Sequence, residues 1–214
     1  MMVFSKEKLV FLSIPKTGST AYQEALASQA SLVVRDPPEL KHAPLFRYNR
    51  FFRPALEKFC EGPFEIVAVM REPVDWLGSW YRYRARENLR NARTSTAGLS
   101  FEAFIEGYLA QPRPAFAQVG SQAKFLEPQA NGTAVTHLFR YDDQAGLQTY
   151  LATRLGQPVQ PIWQNISPTA PLSLTKGLRA QLEQDFAADF SLYDSILPRG
   201  IYEPPERGAA QSHR

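Results

Sequence analysis

The residues best suited to chemistry lie in the polar turn at 15–20, which reads Pro-Lys-Thr-Gly-Ser-Thr. The apolar run before it, at 9–14, predicts a buried strand, and the run after it, at 21–27, predicts a helix. The first amides of a helix have no partners within the helix, and the helix dipole favours an anion beside them. A turn of this kind therefore predicts a site for a phosphate or a similar anion.

The side chains of the turn suit such an anion. Lys16 supplies a positive charge, Gly18 lets the backbone approach a ligand closely, and Ser19 and Thr20 supply hydroxyl donors. The lysine precedes the glycine, whereas in the nucleoside-triphosphate loop a lysine follows the second glycine. An ordinary turn, with its helix capped by a serine or threonine, is the alternative interpretation.

The turn resembles the loop that binds the 5′-phosphosulfate group in sulfotransferases that use PAPS (3′-phosphoadenosine 5′-phosphosulfate). The resemblance implies that the loop holds the 5′-phosphate, with Lys16 at the oxygen that bridges phosphate and sulfate. The cofactor-binding residues that it implies in this loop are Pro15, Lys16, Thr17, Gly18, Ser19 and Thr20.

A second motif follows the apolar run at 64–70, which predicts another strand. Pro73 suits the first turn of a helix, so Arg71 stands at the strand end and Ser79 lies about two turns into the helix. An arginine fork and a hydroxyl can hold one phosphate between them. Together with Tyr81, these residues resemble the 3′-phosphate motif of the same family, which implies that Arg71 and Ser79 bind the 3′-phosphate.

A histidine lies between the two motifs, in the sequence Leu-Lys-His-Ala-Pro at 40–44. A neutral imidazole can accept a proton from an attacking hydroxyl near neutral pH. His42 resembles the catalytic base of several sulfotransferases, so Lys16 and His42 are the predicted catalytic residues. A structural or solvated histidine is the alternative, in which case the nearest carboxylates that could act as the base are Glu39 and Glu72.

Other residues near these motifs are less clearly assigned. Trp76 departs from the family pattern, because many relatives carry an arginine there, and this leaves the local ion pairing open. Arg82 and Arg86 can reach a nucleotide or an acidic acceptor, or simply lie on a solvated helix face. Gln122 stands where relatives often place a glutamine near the acceptor.

The last third of the chain resembles the carbohydrate-sulfating branch of the family. An asparagine-containing loop at 165–168 precedes a helical run at 175–187, and Asp189 and the pair Leu192 and Tyr193 follow. In the family this ending helps to close the nucleotide site, although for Tyr193 we expect packing in the core. The resemblance extends over roughly residues 8–196.

Composition narrows the class of protein. The chain has 214 residues, of which 44% are hydrophobic and 21% charged, as is ordinary for a globular domain. A net charge of +3 fits an anionic ligand but is too small to indicate nucleic-acid binding. No apolar run approaches the length of a membrane span, and no cluster has metal-site spacing. The single cysteine, Cys60, excludes an internal disulfide and favours a reducing, cytoplasmic compartment.

Strands are predicted near 8–14, 31–35, 64–70 and 134–140. Helices are predicted near 18–29, 45–60, 73–88, 100–110, 142–155 and 173–187. This alternation predicts one α/β domain at 1–198, with a mostly parallel sheet flanked by helices as in P-loop NTPases, and ligands at the carboxyl ends of the strands. The remainder, 199–214, is predicted to be a disordered tail.

We therefore expect a sulfotransferase that moves a sulfuryl group from PAPS to a hydroxyl or amine, without a metal ion and with PAP (3′,5′-adenosine bisphosphate) as product. The resemblance favours a carbohydrate acceptor, but neither the acceptor nor the oligomeric state follows from the residues. The alternatives are a small P-loop kinase and a non-catalytic protein that binds PAP or another nucleotide.

Overall fold

The apolar runs form a five-stranded sheet in the computed structural model, which describes residues 1–162 and 172–202. Together with its helices the sheet makes one α/β domain, as predicted. The strands are β1 (Met2–Phe4), β2 (Leu9–Phe11), β3 (Leu32–Val33), β4 (Glu65–Met70) and β5 (His137–Arg140).

The sheet is mixed, with the order β3-β1-β2-β4-β5. Strands β2, β4 and β5 pair in parallel, but β1 pairs antiparallel with both β2 and β3. The prediction of a mostly parallel sheet is therefore wrong for the half of the sheet formed by β3, β1 and β2. The reason is β1, which the sequence interpretation missed. Only a short turn joins β1 to β2, and a short turn can connect only antiparallel neighbours. The resemblance to P-loop NTPases stays a prediction.

The helices follow the predicted order with a few additions. The long helix predicted near 45–60 contains a π-helical turn, and short helices that were not predicted follow β3 and precede β5. The α-helices are α1 (Ser19–Leu26), α2 (Pro38–Lys41), α3 (Leu45–Arg47), α4 (Arg53–Phe59), α5 (Pro73–Arg84), α6 (Phe101–Leu109), α7 (Gln122–Phe125), α8 (Gln144–Leu155), α9 (Lys176–Asp185) and α10 (Ala187–Asp194). The π turn is Tyr48–Phe52, and 3-10 turns lie at Glu87–Leu89, Ala115–Ala117 and Pro198–Gly200.

Both faces of the sheet are covered, which explains why β1 and β2 are apolar at every position and β4 is apolar after Glu65. In β2, Val10 packs on one face and Leu9 and Phe11 pack on the other. Helices α3, α7 and α10 contribute to the first face, whereas α1 and α8 contribute to the second. A third apolar cluster joins α5, α6 and α9 beside the sheet. The central strands are therefore fixed on both sides, and their carboxyl ends make a rigid base for the loops that follow.

The end of the described chain still contacts the sheet. Gly200 lies against the ring of Phe139, and the Tyr202 hydroxyl donates to the carbonyl oxygen of Val135 over 2.5 Å. Residues 203–214 of the predicted tail lie outside the described residues, so the predicted boundary after residue 198 stays a prediction. Within the described ranges, every helix is too short or too polar to cross a bilayer.

Candidate active site

A cleft of about 690 Å³ opens where β2 and β4 end. The neighbouring parallel strands bring the turn at 15–20 and Arg71 to the same edge of the sheet, as expected for ligand sites of α/β domains. Nearly all of the predicted site residues line this cleft: Pro15, Lys16, Gly18, Ser19, Thr20, His42, Arg71 and Ser79.

The turn leaves the start of α1 open to a ligand. Gly18 is the N-cap residue, with φ 73°, and no side chain caps the helix. A left-handed backbone suits glycine, but Lys16 also has a positive φ of 67°, which is unusual for a residue with a side chain. The serine or threonine cap that the alternative interpretation assumed is therefore wrong. The first amides of α1 remain available to an anion.

Three contacts hold this turn in place. The Trp76 indole N–H donates to the carbonyl oxygen of Pro15 over 2.8 Å, and the Arg71 guanidinium donates to that of Lys16 over 3.4 Å. Thr17 is buried, and its hydroxyl donates to the carbonyl oxygen of Ile14 over 2.9 Å. The Thr17 hydroxyl thus stabilises the turn and does not face the cleft. The resemblance to sulfotransferases had implied that Thr17 contacts the cofactor.

Lys16 is surrounded by aromatic rings and by cations. Its Nζ lies 4.1 Å from the ring centroid of Tyr83 and 5.9 Å from that of Trp80. Burial lowers the pKa of Lys16 to about 8, and the positive charges of Arg86, Arg71 and Arg82 add to the effect. Among the residues that the structure describes, none offers Lys16 a carboxylate within ion-pair distance. An anion in the cleft would therefore relieve this repulsion.

Arg71 is held by both its side chain and its backbone. Its Nε donates to Asp75, which also pairs with Arg82 at 3.4 Å, and its guanidinium lies 4.4 Å from the ring centroid of Tyr141. The backbone N–H of Arg71 donates to Oε1 of Gln122 over 3.0 Å, and Nε2 of Gln122 donates back to the Arg71 carbonyl over 2.7 Å. The guanidinium is thus fixed at the cleft wall.

Gln122 has a different role from the one predicted. It is fully buried and clamps the Arg71 backbone, so it does not line the cleft as an acceptor contact would. Asp189 holds Gln122 in turn, because its carboxylate accepts the backbone N–H of Gln122 over 2.8 Å and the Ser121 hydroxyl over 2.6 Å. Burial raises the pKa of Asp189 despite these hydrogen bonds. The sequence pointed to Asp189 through the resemblance of the chain's ending to carbohydrate sulfotransferases, but it did not indicate the contact with Gln122.

The side chains of Ser79 and Tyr81 point to different parts of the structure. Ser79 lies on α5 at the cleft wall, and its hydroxyl forms no hydrogen bond with any described residue. Tyr81 points to α6, where its hydroxyl donates to the carbonyl oxygen of Leu99 over 2.7 Å and its ring packs on Phe101. Ser79 is therefore free to bind a ligand, and Tyr81 is a packing residue.

His42 follows α2 and faces the cleft with one ring nitrogen already engaged. Nδ1 lies 2.7 Å from the carbonyl oxygen of Ser13. A carbonyl can only accept, so Nδ1 carries the proton and Nε2 of the neutral ring keeps its lone pair. Burial lowers the pKa of His42, more than the Ser13 hydrogen bond raises it, and the charges of Lys41 and Lys16 lower it further. The ring is therefore neutral at pH 7, as a general base must be.

The rest of the cleft wall is strongly basic. Arg82 and Arg86, whose position the sequence left open, both line it, and so do Arg35 and Lys41. Lys41 also donates to the Thr20 hydroxyl over 3.2 Å. Asp36 is the one acidic residue of the described lining. In the described ranges, no cluster of three histidine, cysteine, aspartate or glutamate residues could hold a metal ion.

Comparisons of the chain with protein-family models, with curated proteins and with solved structures find no match.

The asparagine-containing loop at 165–168 lies outside the described residues. Tyr193 is buried, as predicted, and its hydroxyl donates to Asp142 over 3.3 Å.

The clamp on Arg71 gives a stability prediction. Gln122→Met keeps the volume of the side chain but leaves the Arg71 N–H and carbonyl unpaired. We expect it to lower the free energy of unfolding by about 1–3 kcal/mol. Urea denaturation should detect this loss, and Gln181→Met, at an exposed position of α9, serves as the control. Equal denaturation midpoints for the two variants would contradict the clamp.

The lowered pKa of Lys16 gives a prediction about pH. Both phosphates of PAP are almost fully ionised above pH 7, since their second pKa is about 6. The charge of Lys16 is present below its pKa and is lost above it, so PAP affinity should fall above about pH 8. Calorimetric titrations across this range should show the fall. Lys16→Arg, which stays charged, should flatten it, and the same fall in that variant would contradict the assignment.

Proposed function

We propose that this protein is a sulfotransferase that transfers a sulfuryl group from PAPS to a hydroxyl or amine of an acceptor. The observation that carries the proposal is the convergence of three separate sequence features on one basic cleft. These are the turn with Lys16, the pair Arg71 and Ser79, and the neutral imidazole of His42. The features come from distant parts of the chain, so their meeting is not a consequence of sequence proximity.

In this proposal the two ends of the nucleotide bind at two places. The 5′-phosphate lies at the start of α1, where backbone amides and the hydroxyls of Ser19 and Thr20 can donate to it. The 3′-phosphate lies between Arg71 and Ser79. The Arg71 fork is already oriented by Asp75, and the Ser79 hydroxyl has no competing partner among the described residues. Both groups therefore need little rearrangement to bind.

The reaction is an in-line displacement at sulfur. The acceptor oxygen or nitrogen attacks the sulfur atom, its proton passes to Nε2 of His42, and the bond from sulfur to the bridging phosphate oxygen breaks, leaving PAP. Lys16 moves from the Tyr83 ring to the bridging oxygen and stabilises the negative charge that develops there. A sulfuryl group carries less negative charge than a phosphoryl group, so we expect fixed lysine, hydroxyl and amide donors to suffice without a metal ion.

The alternative functions use the same cleft differently. A kinase needs a carboxylate that binds the metal of its nucleotide. In this chain Arg71 follows β4, the nearby Asp75 is occupied by Arg71 and Arg82, and Asp36 is the one carboxylate of the described cleft lining, among many cations. A non-catalytic PAP-binding protein would use the phosphate residues but not His42. The position of His42 in the lining of the same cleft as the phosphate residues favours the enzyme over this alternative.

Two finer features of the proposal rest on the sequence. The resemblance of the C-terminal third to carbohydrate sulfotransferases favours a carbohydrate acceptor, and the basic cleft suits an acceptor with acidic groups. We propose a cytoplasmic location because the single cysteine, Cys60, excludes an internal disulfide and fits a reducing compartment.

The role of Arg71 can be tested by ligand comparison. Arg71→Ala should weaken PAP binding by about 1.5–3 kcal/mol, the range for a hydrogen bond to a charged group. Adenosine 5′-phosphosulfate lacks the 3′-phosphate, so its affinity should change much less. Calorimetry with both ligands measures the difference, and Arg93→Ala, an exposed arginine away from the cleft, is the control. Equal losses for the two ligands would mean that Arg71 does not bind the 3′-phosphate.

The two catalytic residues can be tested by turnover with labelled PAPS. Lys16→Ala should lower the rate by roughly two orders of magnitude, as for loss of one donor to developing charge. His42→Ala should lower it by roughly two to four orders of magnitude. In the wild type the rate should fall as pH drops through the lowered pKa of His42, because the protonated ring cannot accept a proton.

The control for His42 is His137→Ala, which removes a second partly buried histidine outside the cleft. This variant should keep both the rate and the fall at low pH. A His42→Ala variant that also keeps both would contradict the base assignment and favour a carboxylate. Near-wild-type turnover of Lys16→Ala would contradict the role of the lysine.

A further inference from the structure

Lys16 differs from an ordinary surface lysine in what surrounds its ammonium group. The chain has seven lysines, and one of them, Lys124, is exposed and pairs with the carboxylate of Glu127 at 2.6 Å. Lys16 is half-buried and faces the rings of Tyr83 and Trp80. Within the described part of the chain it has no carboxylate at ion-pair distance. The charged form of Lys16 therefore lacks the partner that stabilises the charge of Lys124.

Positive charges also surround Lys16. Arg86 lies 5.0 Å from the centroid of the same Tyr83 ring that Lys16 contacts, and the Arg71 guanidinium donates to the carbonyl oxygen of Lys16 over 3.4 Å. Burial disfavours the protonated form of a lysine, and so do like charges at short range. Together they lower the pKa of Lys16 to about 8. At pH 7 roughly a tenth of Lys16 is then neutral, against roughly one in a few thousand for an ordinary lysine.

A neutral amine that faces an open cleft is a nucleophile. Lysines that react with carbonyl compounds are activated by desolvation in an apolar pocket or by a neighbouring cation. Lys16 has both features, on the wall of a cleft of about 690 Å³, which suits a small ligand. The arginines of the same lining, Arg71, Arg82 and Arg86, suit an anionic group on that ligand. The cleft thus combines an amine nucleophile with a wall that can bind an anion.

We propose that Lys16 forms a reversible imine with small aldehydes that carry a phosphate group, and that the adduct closes the cleft to nucleotides. The neutral amine nitrogen attacks the carbonyl carbon, and a carbon–nitrogen bond forms. The carbonyl oxygen then leaves as water with both hydrogens of the amine, and a carbon–nitrogen double bond remains. The step needs no oxidant or reductant, and hydrolysis restores the lysine. The phosphate of the aldehyde binds the guanidinium of Arg86.

This inference concerns the reactivity of one side chain and does not rest on the proposed function. A cleft that transfers no sulfuryl group would still hold a reactive lysine. If both hold, phosphorylated aldehydes inhibit the enzyme reversibly, because the imine occupies the lysine that stabilises the leaving group.

Pyridoxal 5′-phosphate tests the proposal, and pyridoxal, which lacks the phosphate, is the matched probe. The full chain is incubated with a limiting amount of either aldehyde, and borohydride reduces the imine to a stable amine. Peptide mass spectrometry then measures the label at each lysine. With pyridoxal 5′-phosphate we expect at least about ten times more label at Lys16 than at Lys124, since more of Lys16 is neutral. With pyridoxal this ratio should fall by about tenfold, because the hydrogen bond to the phosphate is lost.

Three variants locate the reaction. Lys16→Arg keeps the positive charge but removes the nucleophile, so the label at this position should be lost. Arg86→Gln should lower the label at Lys16 by about tenfold, since it removes both a partner of the phosphate and a neighbouring positive charge. Lys124→Arg, at an exposed position outside the cleft, is the control and should leave the label at Lys16 unchanged. Circular dichroism and thermal melting show whether each variant is folded.

Equal label at Lys16 and Lys124, or the same ratio with both aldehydes, would overturn the proposal. So would a folded Arg86→Gln variant whose Lys16 is labelled as in the wild type. PAP separates this proposal from the proposed function. Label at Lys16 that saturating PAP does not prevent would contradict the PAPS site and still support the imine. Binding of PAP by a protein whose Lys16 stays unlabelled would overturn the imine alone.

Discussion

The site depends on a positive charge, that of Lys16, which has no compensating carboxylate among the residues that the structure describes. Lys16 stands on a left-handed residue of the turn after β2, half-buried against Tyr83 and Trp80. Burial and the neighbouring arginines both disfavour its charge, which is why its pKa falls to about 8. A folded domain can tolerate the unfavourable free energy of this charge when a bound anion compensates it. We therefore interpret the cleft as a site that is complete only with a polyanion bound.

Helix α5 builds much of this arrangement. Its positions 76, 79, 80 and 83 recur at helical spacing and so lie along one side of the helix. Trp76 donates a hydrogen bond to the Pro15 carbonyl, and Ser79 lines the cleft. The rings of Trp80 and Tyr83 contact the Lys16 ammonium group. Trp76, where many sulfotransferases carry an arginine, thus braces the turn in this chain. Asp75, on the same helix, pairs with Arg71 and Arg82.

The features that could be predicted from the sequence are those that depend on the local pattern of apolar and polar residues. The apolar runs before the turn and before Arg71 predicted strands, and adjacent parallel strands bring their ends together, so the meeting of Lys16 and Arg71 followed. The sequence was insufficient where tertiary contacts decide. Strand β1 is only three residues long, too short for a period to be visible. The hydrogen bond of Thr17 to Ile14 and the clamp of Gln122 on Arg71 depend on which buried groups lie next to these side chains. The spacing of residues along the chain does not give this information.

The most direct test of the central claim is the thermal stability of the protein with three nucleotides measured in parallel: PAP, ATP with magnesium, and AMP. A ligand that binds only the folded state raises the melting temperature according to its affinity. The account predicts a clear shift with PAP and much smaller shifts with the other two, because only PAP places phosphates both at the start of α1 and between Arg71 and Ser79. A larger shift with ATP and magnesium, or no shift with PAP, would contradict it.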